Sequence, residues 1–196
     1  MTSVYIAKRK KVKQSTNVHY AGFPKRLAAF ALDYLVIMGY VIVLTAITLG
    51  LTYATGLFRQ TVAALANPFV ADLLTFLTLV LPVILYFTFQ ESSSGQATWG
   101  KRKAGIKVVN AVGERLSRKQ AFVRSLIKFL PWQLAHTSIY HIKGWPFAPE
   151  NLTPVVMVGL ILAQVLVVIY VIFLVVDKAH RTPYDWISGA SVIIAR

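Results

Sequence analysis

Long apolar stretches constrain this chain more than any other feature of its sequence. Three of them, 27–50, 70–90 and 152–176, are each long enough to cross the hydrocarbon core of a bilayer as a helix. Apolar residues make up 56% of the sequence and charged residues only 14%, whereas soluble domains carry about 25% charged residues. The sequence therefore predicts an all-α polytopic membrane protein.

Positive charge is concentrated at one end of these predicted spans. The formal net charge is +14, yet the loop between the first two spans contains Arg59 as its only basic residue. The segments before the first span and after the second are basic: Lys8, Arg9, Lys10, Lys11, Lys13, Lys25 and Arg26, then Lys101, Arg102, Lys103, Lys107, Arg115, Arg118, Lys119, Arg124 and Lys128. Since Lys and Arg accumulate in cytoplasmic loops, we expect the N-terminus and the loop after the second span to be cytoplasmic.

The first twenty residues differ from the rest of the chain. Residues 1–20 are polar, include the run KRKKVK and lack apolar periodicity, which predicts a flexible basic cytoplasmic arm ahead of a transmembrane domain at 21–196. We expect this arm to lie against anionic lipid headgroups. Nucleic acid is not an expected partner, because no recognition motif accompanies the charge.

The stretch 118–142 can be interpreted in two ways. It has helical periodicity but carries Arg124 and Lys128 one turn apart, and Pro131 is expected to break it. Taken alone, it predicts an amphipathic helix at the membrane interface. A polar fourth span is favoured, because otherwise the basic residues after the last span would lie outside the cell.

Shorter signals predict local structure between the spans. Asn67 and Pro68 form a helix start, and Asp72 in the following turn is interpreted as structural. Pro82 should kink the second span, and its freed backbone group needs a partner such as the Thr78 hydroxyl. Residues 106–109 alternate like a strand, which predicts a small cytoplasmic hairpin with 115–117 returning.

The candidate functional residues are charges at the cytoplasmic ends of the spans. They are Arg26, Asp33, Arg124, Lys128, Asp177 and Asp185. Asp33 lies about 10 Å along the helix from Arg26, too far for a direct bond, and a carboxylate at that depth is costly unless it is paired. Lys128 matches its depth, whereas Arg124 offers a forked guanidinium, so both remain candidate partners.

The sequence argues against an enzyme. It contains no cysteine, which excludes disulfides, thiolate metal sites and cysteine nucleophiles. His136 and His141 are five residues apart without a metalloprotease motif, and no nucleophile-elbow motif is present. We expect no catalytic residue, no metal and no cofactor.

The chain resembles the RDD family of bacterial membrane proteins, named for one Arg and two Asp. The opening pattern matches Arg26 and Asp33, and the closing Asp matches Asp185. The middle of the family pattern matches Gly95, Thr98, Gly100, Lys101, Arg102 and Gly105, then the segment IKVV, Ala121, Arg124 and Val192. The chain departs from the pattern at Tyr184, where the family often has His, and at 188–191, where it often has Gly-Thr.

The resemblance implies a multi-pass protein of the bacterial cytoplasmic (inner) membrane with two open functions. Transport is suspected for the family, and sodium/proton antiport is proposed for some members. We favour a structural or regulatory membrane partner with an intramembrane charge network, and a small transporter or antiporter that uses Asp33 is the alternative. A membrane or cytoplasmic protein partner and a homo-oligomer are both expected candidates, the latter through the small-residue faces Ala46/Gly50 and Gly159/Ala163.

Overall fold

The computed structural model describes residues 19–145 and 148–195, so most of the predicted arm lies outside the described residues. In these ranges the chain forms seven helices and two strands. The helices are α1 Phe23–Ala54, α2 Phe58–Leu65, α3 Pro68–Glu91, α4 Trp99–Lys103, α5 Arg118–Tyr140, α6 Pro154–Val176 and α7 Pro183–Ser188. The strands are β1 Ile106–Asn110 and β2 Ala190–Ile194.

Helices α1, α3 and α6 are the three helices of the described residues that are long and apolar enough to cross a membrane. They confirm the spans predicted at 27–50, 70–90 and 152–176. Helix α3 begins as its sequence predicts, because the Asn67 side chain accepts hydrogen bonds from the backbone of Phe69 and Val70 and Pro68 occupies the first turn.

Helix α5 runs antiparallel to α3 along nearly its whole length. At one end Arg124 bonds to Glu91, and at the other Thr137 donates to the carboxylate of Asp72 at 3.0 Å. Asp72 thus holds two helices together, because Gln133 also donates to it at 2.9 Å. Helix α5 therefore lies beside α3 over nearly the full length of that apolar helix and is a fourth helix of the bundle.

The two remaining spans flank this central pair. Helix α1 is antiparallel to α3, since Asp33 meets Tyr86 and Tyr40 meets Thr78. Helix α6 is antiparallel to α5: Gly159 packs so closely on Ser138 that no Cβ fits between them. The Gly159/Ala163 face therefore packs within the chain rather than standing free for a second copy.

Two prolines lie inside helices, and each is matched by a tyrosine of a neighbouring helix. Pro131 was expected to break 118–142, but α5 continues through it. A proline frees the carbonyl four residues earlier, and the Tyr170 hydroxyl donates to that carbonyl, on Ile127, at 2.7 Å.

Pro82 frees the Thr78 carbonyl in the same way. The Thr78 carbonyl accepts a hydrogen bond from the Tyr40 hydroxyl. The Thr78 hydroxyl, which was the expected donor, instead donates to the Leu74 carbonyl of its own helix. A π-helical segment, Phe76–Val80, immediately precedes the proline turn.

The short helix α2 connects the end of α1 to the start of α3. The other elements form a cap over the opposite end of the bundle, where α1 begins and α3 and α6 end. We define the cap as α4, β1, α7 and β2. The predicted hairpin is wrong in its second strand: 115–117 form no strand, and β1 pairs antiparallel with β2, with Val108 opposite Val192. Gly189, at φ +65°, reverses the chain after α7 and directs β2 back along β1. The inward faces of both strands pack with Ala29 and Ala121, which fixes the cap to α1 and α5.

Tyr170→Phe should destabilise the protein by about 1 kcal/mol, because the carbonyl freed by Pro131 loses its donor while the ring packing is kept. Tyr53→Phe is the matched control, since Tyr53 is 80% exposed, and it should change little. Chemical unfolding in detergent measures both.

The same experiment has an internal check. In a Pro131→Ala background the restored amide can bond to Ile127, so the cost of Tyr170→Phe should largely disappear. An undiminished cost there would contradict the assignment of Tyr170 to the proline-freed carbonyl.

Candidate functional site

Six charged side chains form an alternating chain where the cap meets the bundle. In order, they are Asp33, Lys101, Glu91, Arg124, Asp185 and Arg26. Each side chain is at most 9% exposed. The three acids and three bases come from α1, α3, α4, α5 and α7, so the charge network connects five elements. Its formal charges balance.

Asp33 is the end of the network that holds α4. Its carboxylate accepts hydrogen bonds from the Thr98 hydroxyl at 2.5 Å, the Gly100 backbone amide at 2.8 Å and the Tyr86 hydroxyl at 3.3 Å. The Lys101 ammonium is 4.0 Å away. These donors anchor the first turn of α4 on the side of α1.

Gly100 allows this close approach. A Cβ at this position would lie 2.7 Å from the backbone nitrogen of Asp33 and would press on the carbonyl of Ala29. Both obstacles belong to the α1 backbone and cannot rotate away. The helix α4 can therefore sit on α1 only where it has a glycine.

Glu91 and Arg124 form the centre of the network. The Lys101 ammonium lies 2.9 Å from Glu91, and Arg124 donates to the other oxygen of the same carboxylate. Arg124 also donates twice to Asp185, at 2.8 and 2.7 Å. The Arg124 guanidinium also contacts Tyr184, whose ring centroid lies 5.2 Å from the guanidinium carbon.

Asp185 closes the network at the other end. One oxygen accepts from Arg26 at 2.7 Å and also from the Thr182 amide at 3.2 Å, in the capping box that starts α7. Burial alone raises the pKa of Asp185, but the guanidinium groups of Arg124 and Arg26 hold this pKa well below the ordinary value of an aspartate. Asp185 is therefore ionised at neutral pH.

Five of the predicted residues meet in this network: Arg26, Asp33, Arg124 and Asp185 from the candidate charges, and Lys101 from the family motif. Arg26 and Asp33 make no direct bond, as expected from their spacing. The proposed partners of Asp33 were wrong: its nearby cation is Lys101, while Arg124 is engaged by Glu91 and Asp185. The turn at 92–98 brings α4 back onto α1 and places Lys101 beside Asp33, a contact that positions along the helices alone do not predict.

Two other predicted residues lie outside the alternating chain. Asp177 pairs with Arg181 at 3.2 Å, and this partly buried pair is separate from the network. The pKa of Asp177 is lowered, chiefly by its hydrogen bond from the Arg181 side chain. Lys128 has its ammonium 3.6 Å from the centroid of the Phe87 ring, and no acidic side chain of the described residues lies within 4.0 Å of it.

Glu91 was missed because it follows an apolar span and was assigned to the loop. One signal could have identified it. An acid at the C-terminus of a helix faces the negative end of the helix dipole, so it requires a cation nearby. Two basic side chains, Lys101 and Arg124, supply that charge.

The motif 95–105 acts as a clasp between the cap and α1. Thr98 caps α4 through the Lys101 amide, and Arg102 fixes the turn by donating to Gln90 and to the Ala97 carbonyl. Gly105, at φ +67°, then turns the chain into β1. Each matched position of the motif except the exposed Gly95 has a defined structural task.

The fold and the network define a polytopic α-helical membrane protein whose cap is held on by buried charges. The sequence model of the RDD family matches residues 20–189, which confirms the resemblance, and the chain belongs to that family. No curated protein and no solved structure matches the chain. The match spans every residue of the charge network.

Gly100→Ala should destabilise the protein by about 3 kcal/mol, because the added methyl meets rigid backbone of α1. Gly95→Ala is the matched control in the same loop. A Cβ there finds only ordinary contacts, at 3.6 Å and beyond, so the change should be within about 0.5 kcal/mol. Thermal unfolding in detergent measures both, and equal effects would show that α4 does not rest on α1 at this point.

Proposed function

We propose that this protein is a structural or regulatory partner in the bacterial cytoplasmic membrane, with a non-catalytic role and with its cap and N-terminus inside the cell. The orientation is supported by the distribution of Lys and Arg, which concentrate at the cap end of the bundle. The loops at the opposite end, 55–67 and 141–153, carry few cations.

The environment of Asp33 is the observation that favours this role. An ion-carrying carboxylate must exchange its ligands during a transport cycle. Asp33 is 1% exposed and is held by a hydroxyl, a backbone amide and a phenol, two of them from the clasp. Releasing it would require α4 to leave α1, so this carboxylate has the properties of a structural anchor.

The second candidate function is ion transport through Asp33, and one contact favours it. Lys101 lies between two carboxylates, 2.9 Å from Glu91 and 4.0 Å from Asp33. A cation placed between two acids can move from one to the other when an ion or a proton arrives. Intramembrane acids are in general associated with such pathways.

Ion flux in proteoliposomes that contain only this protein separates the two functions. Under the proposed role, an imposed sodium gradient should drive no proton movement above that of empty liposomes. Asp33→Asn should instead lower the unfolding temperature, because Lys101 and the clasp lose their anionic partner.

The control for this experiment is Glu150→Gln, which removes an exposed carboxylate far from the network. Sodium-driven proton flux that Asp33→Asn abolishes and Glu150→Gln preserves would overturn the structural role and establish antiport.

A further inference from the structure

A groove of about 630 Å³ opens between α1 and α6, with α5 as its floor. Along the floor it extends from Arg124 to Ile139, which corresponds to about 22 Å by the rise of a helix. Its walls are aliphatic and aromatic, with Leu27 and Phe30 on one side and Val167 and Val171 on the other. The groove is thus long and mostly apolar, follows the surface of the bundle, and begins beside the charge network.

Lys128 points into the end of this groove nearest the cap. Its ammonium lies 3.6 Å from the ring centroid of Phe87 and 5.1 Å from that of Phe129, contacts that only partly compensate a cation removed from water. Across the described part of the chain, no hydrogen-bond acceptor for this ammonium is found. The cation therefore lacks an anion.

Arg26 provides a second unsatisfied donor at the same end. Its Nη1 bonds to Asp185 and its Nε to the Ala21 carbonyl, but its buried Nη2 has no partner among the described residues. Arg26 lines the groove together with Lys128. Phe30, one turn after Arg26 on α1, has its ring centroid 6.0 Å from the Lys128 ammonium. Two cationic groups and one aromatic ring therefore line the head of the groove.

Residues 19–145 and 148–195 supply no free acceptor nearby. Asp33, Glu91 and Asp185 already bind other donors in the alternating network. Two cationic donors at the head of an apolar groove complement a molecule with an anionic head and a hydrocarbon body. The bilayer around the helices is the source of such molecules.

We propose that the groove binds a phospholipid of net negative charge. Its phosphate accepts hydrogen bonds from Lys128 and Arg26, and one acyl chain follows the groove along α5 towards Ile139. Half of a bilayer core is about 15 Å thick, so the groove is long enough for the chain of a lipid from the leaflet nearest the cap. Lys128 lies about one turn deeper than Arg124, and its flexible stem lets the ammonium rise to a phosphate.

Native mass spectrometry of the full chain in detergent tests this proposal with phosphatidylglycerol and phosphatidylcholine as the two probes. The wild-type protein should bind phosphatidylglycerol at least tenfold more tightly. Lys128→Met keeps the apolar stem and should remove most of this preference. Lys103→Met, which removes an exposed cation of the cap, should change the affinity less than twofold.

A steric pair of variants tests the groove independently of charge. Val167→Trp fills the groove with Lys128 intact and should weaken phosphatidylglycerol binding about tenfold. Val158→Trp adds the same side chain to an exposed position on α6 outside the groove and should have no effect.

Three results would overturn the proposal: equal affinity for both lipids, an unchanged preference in Lys128→Met, or full binding by Val167→Trp. Inorganic phosphate separates a lipid site from a simple anion site, because it should not compete with phosphatidylglycerol at millimolar concentration. Competition by phosphate alone would also overturn the lipid assignment. Each variant is first checked for cooperative unfolding, so that a loss of binding reports on the groove.

Discussion

The burial of the Arg124 guanidinium is the constraint on which the rest of the structure depends. A permanently charged group buried where a membrane bundle meets its cap is costly unless anions and hydrogen-bond acceptors surround it. Glu91 and Asp185 provide both, and they come from α3 and from α7, two elements that are distant in the sequence. Satisfying one side chain therefore forces the end of a span and the cap to meet at the same place.

The same requirement then propagates outward along the network. Glu91 needs Lys101, which carries α4 to the bundle, and Asp185 needs Arg26, which fixes the start of α1. Asp33 lies near the Lys101 ammonium and also accepts a hydrogen bond from the Gly100 backbone amide, so it fixes the position of the α4 backbone as well as a charge. The order of charges thus determines which element lies beside which, and the small β1–β2 sheet closes the cap over them.

The sequence predicted the spans well because crossing a bilayer demands length and apolarity, both of which are local properties. The distribution of Lys and Arg also favoured a polar fourth helix at the position of α5. Pro131 suggested a break in that helix, but the carbonyl that it frees accepts a hydrogen bond from Tyr170 of α6, and α5 continues. The members of the network were more predictable than their pairing. Arg26, Asp33, Lys101, Arg124 and Asp185 were candidates and Glu91 was not. The pairing depends on the turn at 92–98 and on the close packing of Gly100 against α1, which are contacts between distant segments.

A double-mutant cycle between Glu91 and Arg124 tests the central claim most directly. Glu91→Gln and Arg124→Gln, singly and together, are compared by unfolding in detergent. The control cycle combines Arg124→Gln with Asp177→Asn, because Asp177 lies outside the network and makes no bond to Arg124. We expect a coupling energy of about 1 kcal/mol or more for Glu91 with Arg124, and additivity within about 0.5 kcal/mol for the control pair. Additive losses for Glu91 and Arg124 would contradict the claim that this buried pair, which joins α3 to α5, is the centre of the network on which the cap is mounted.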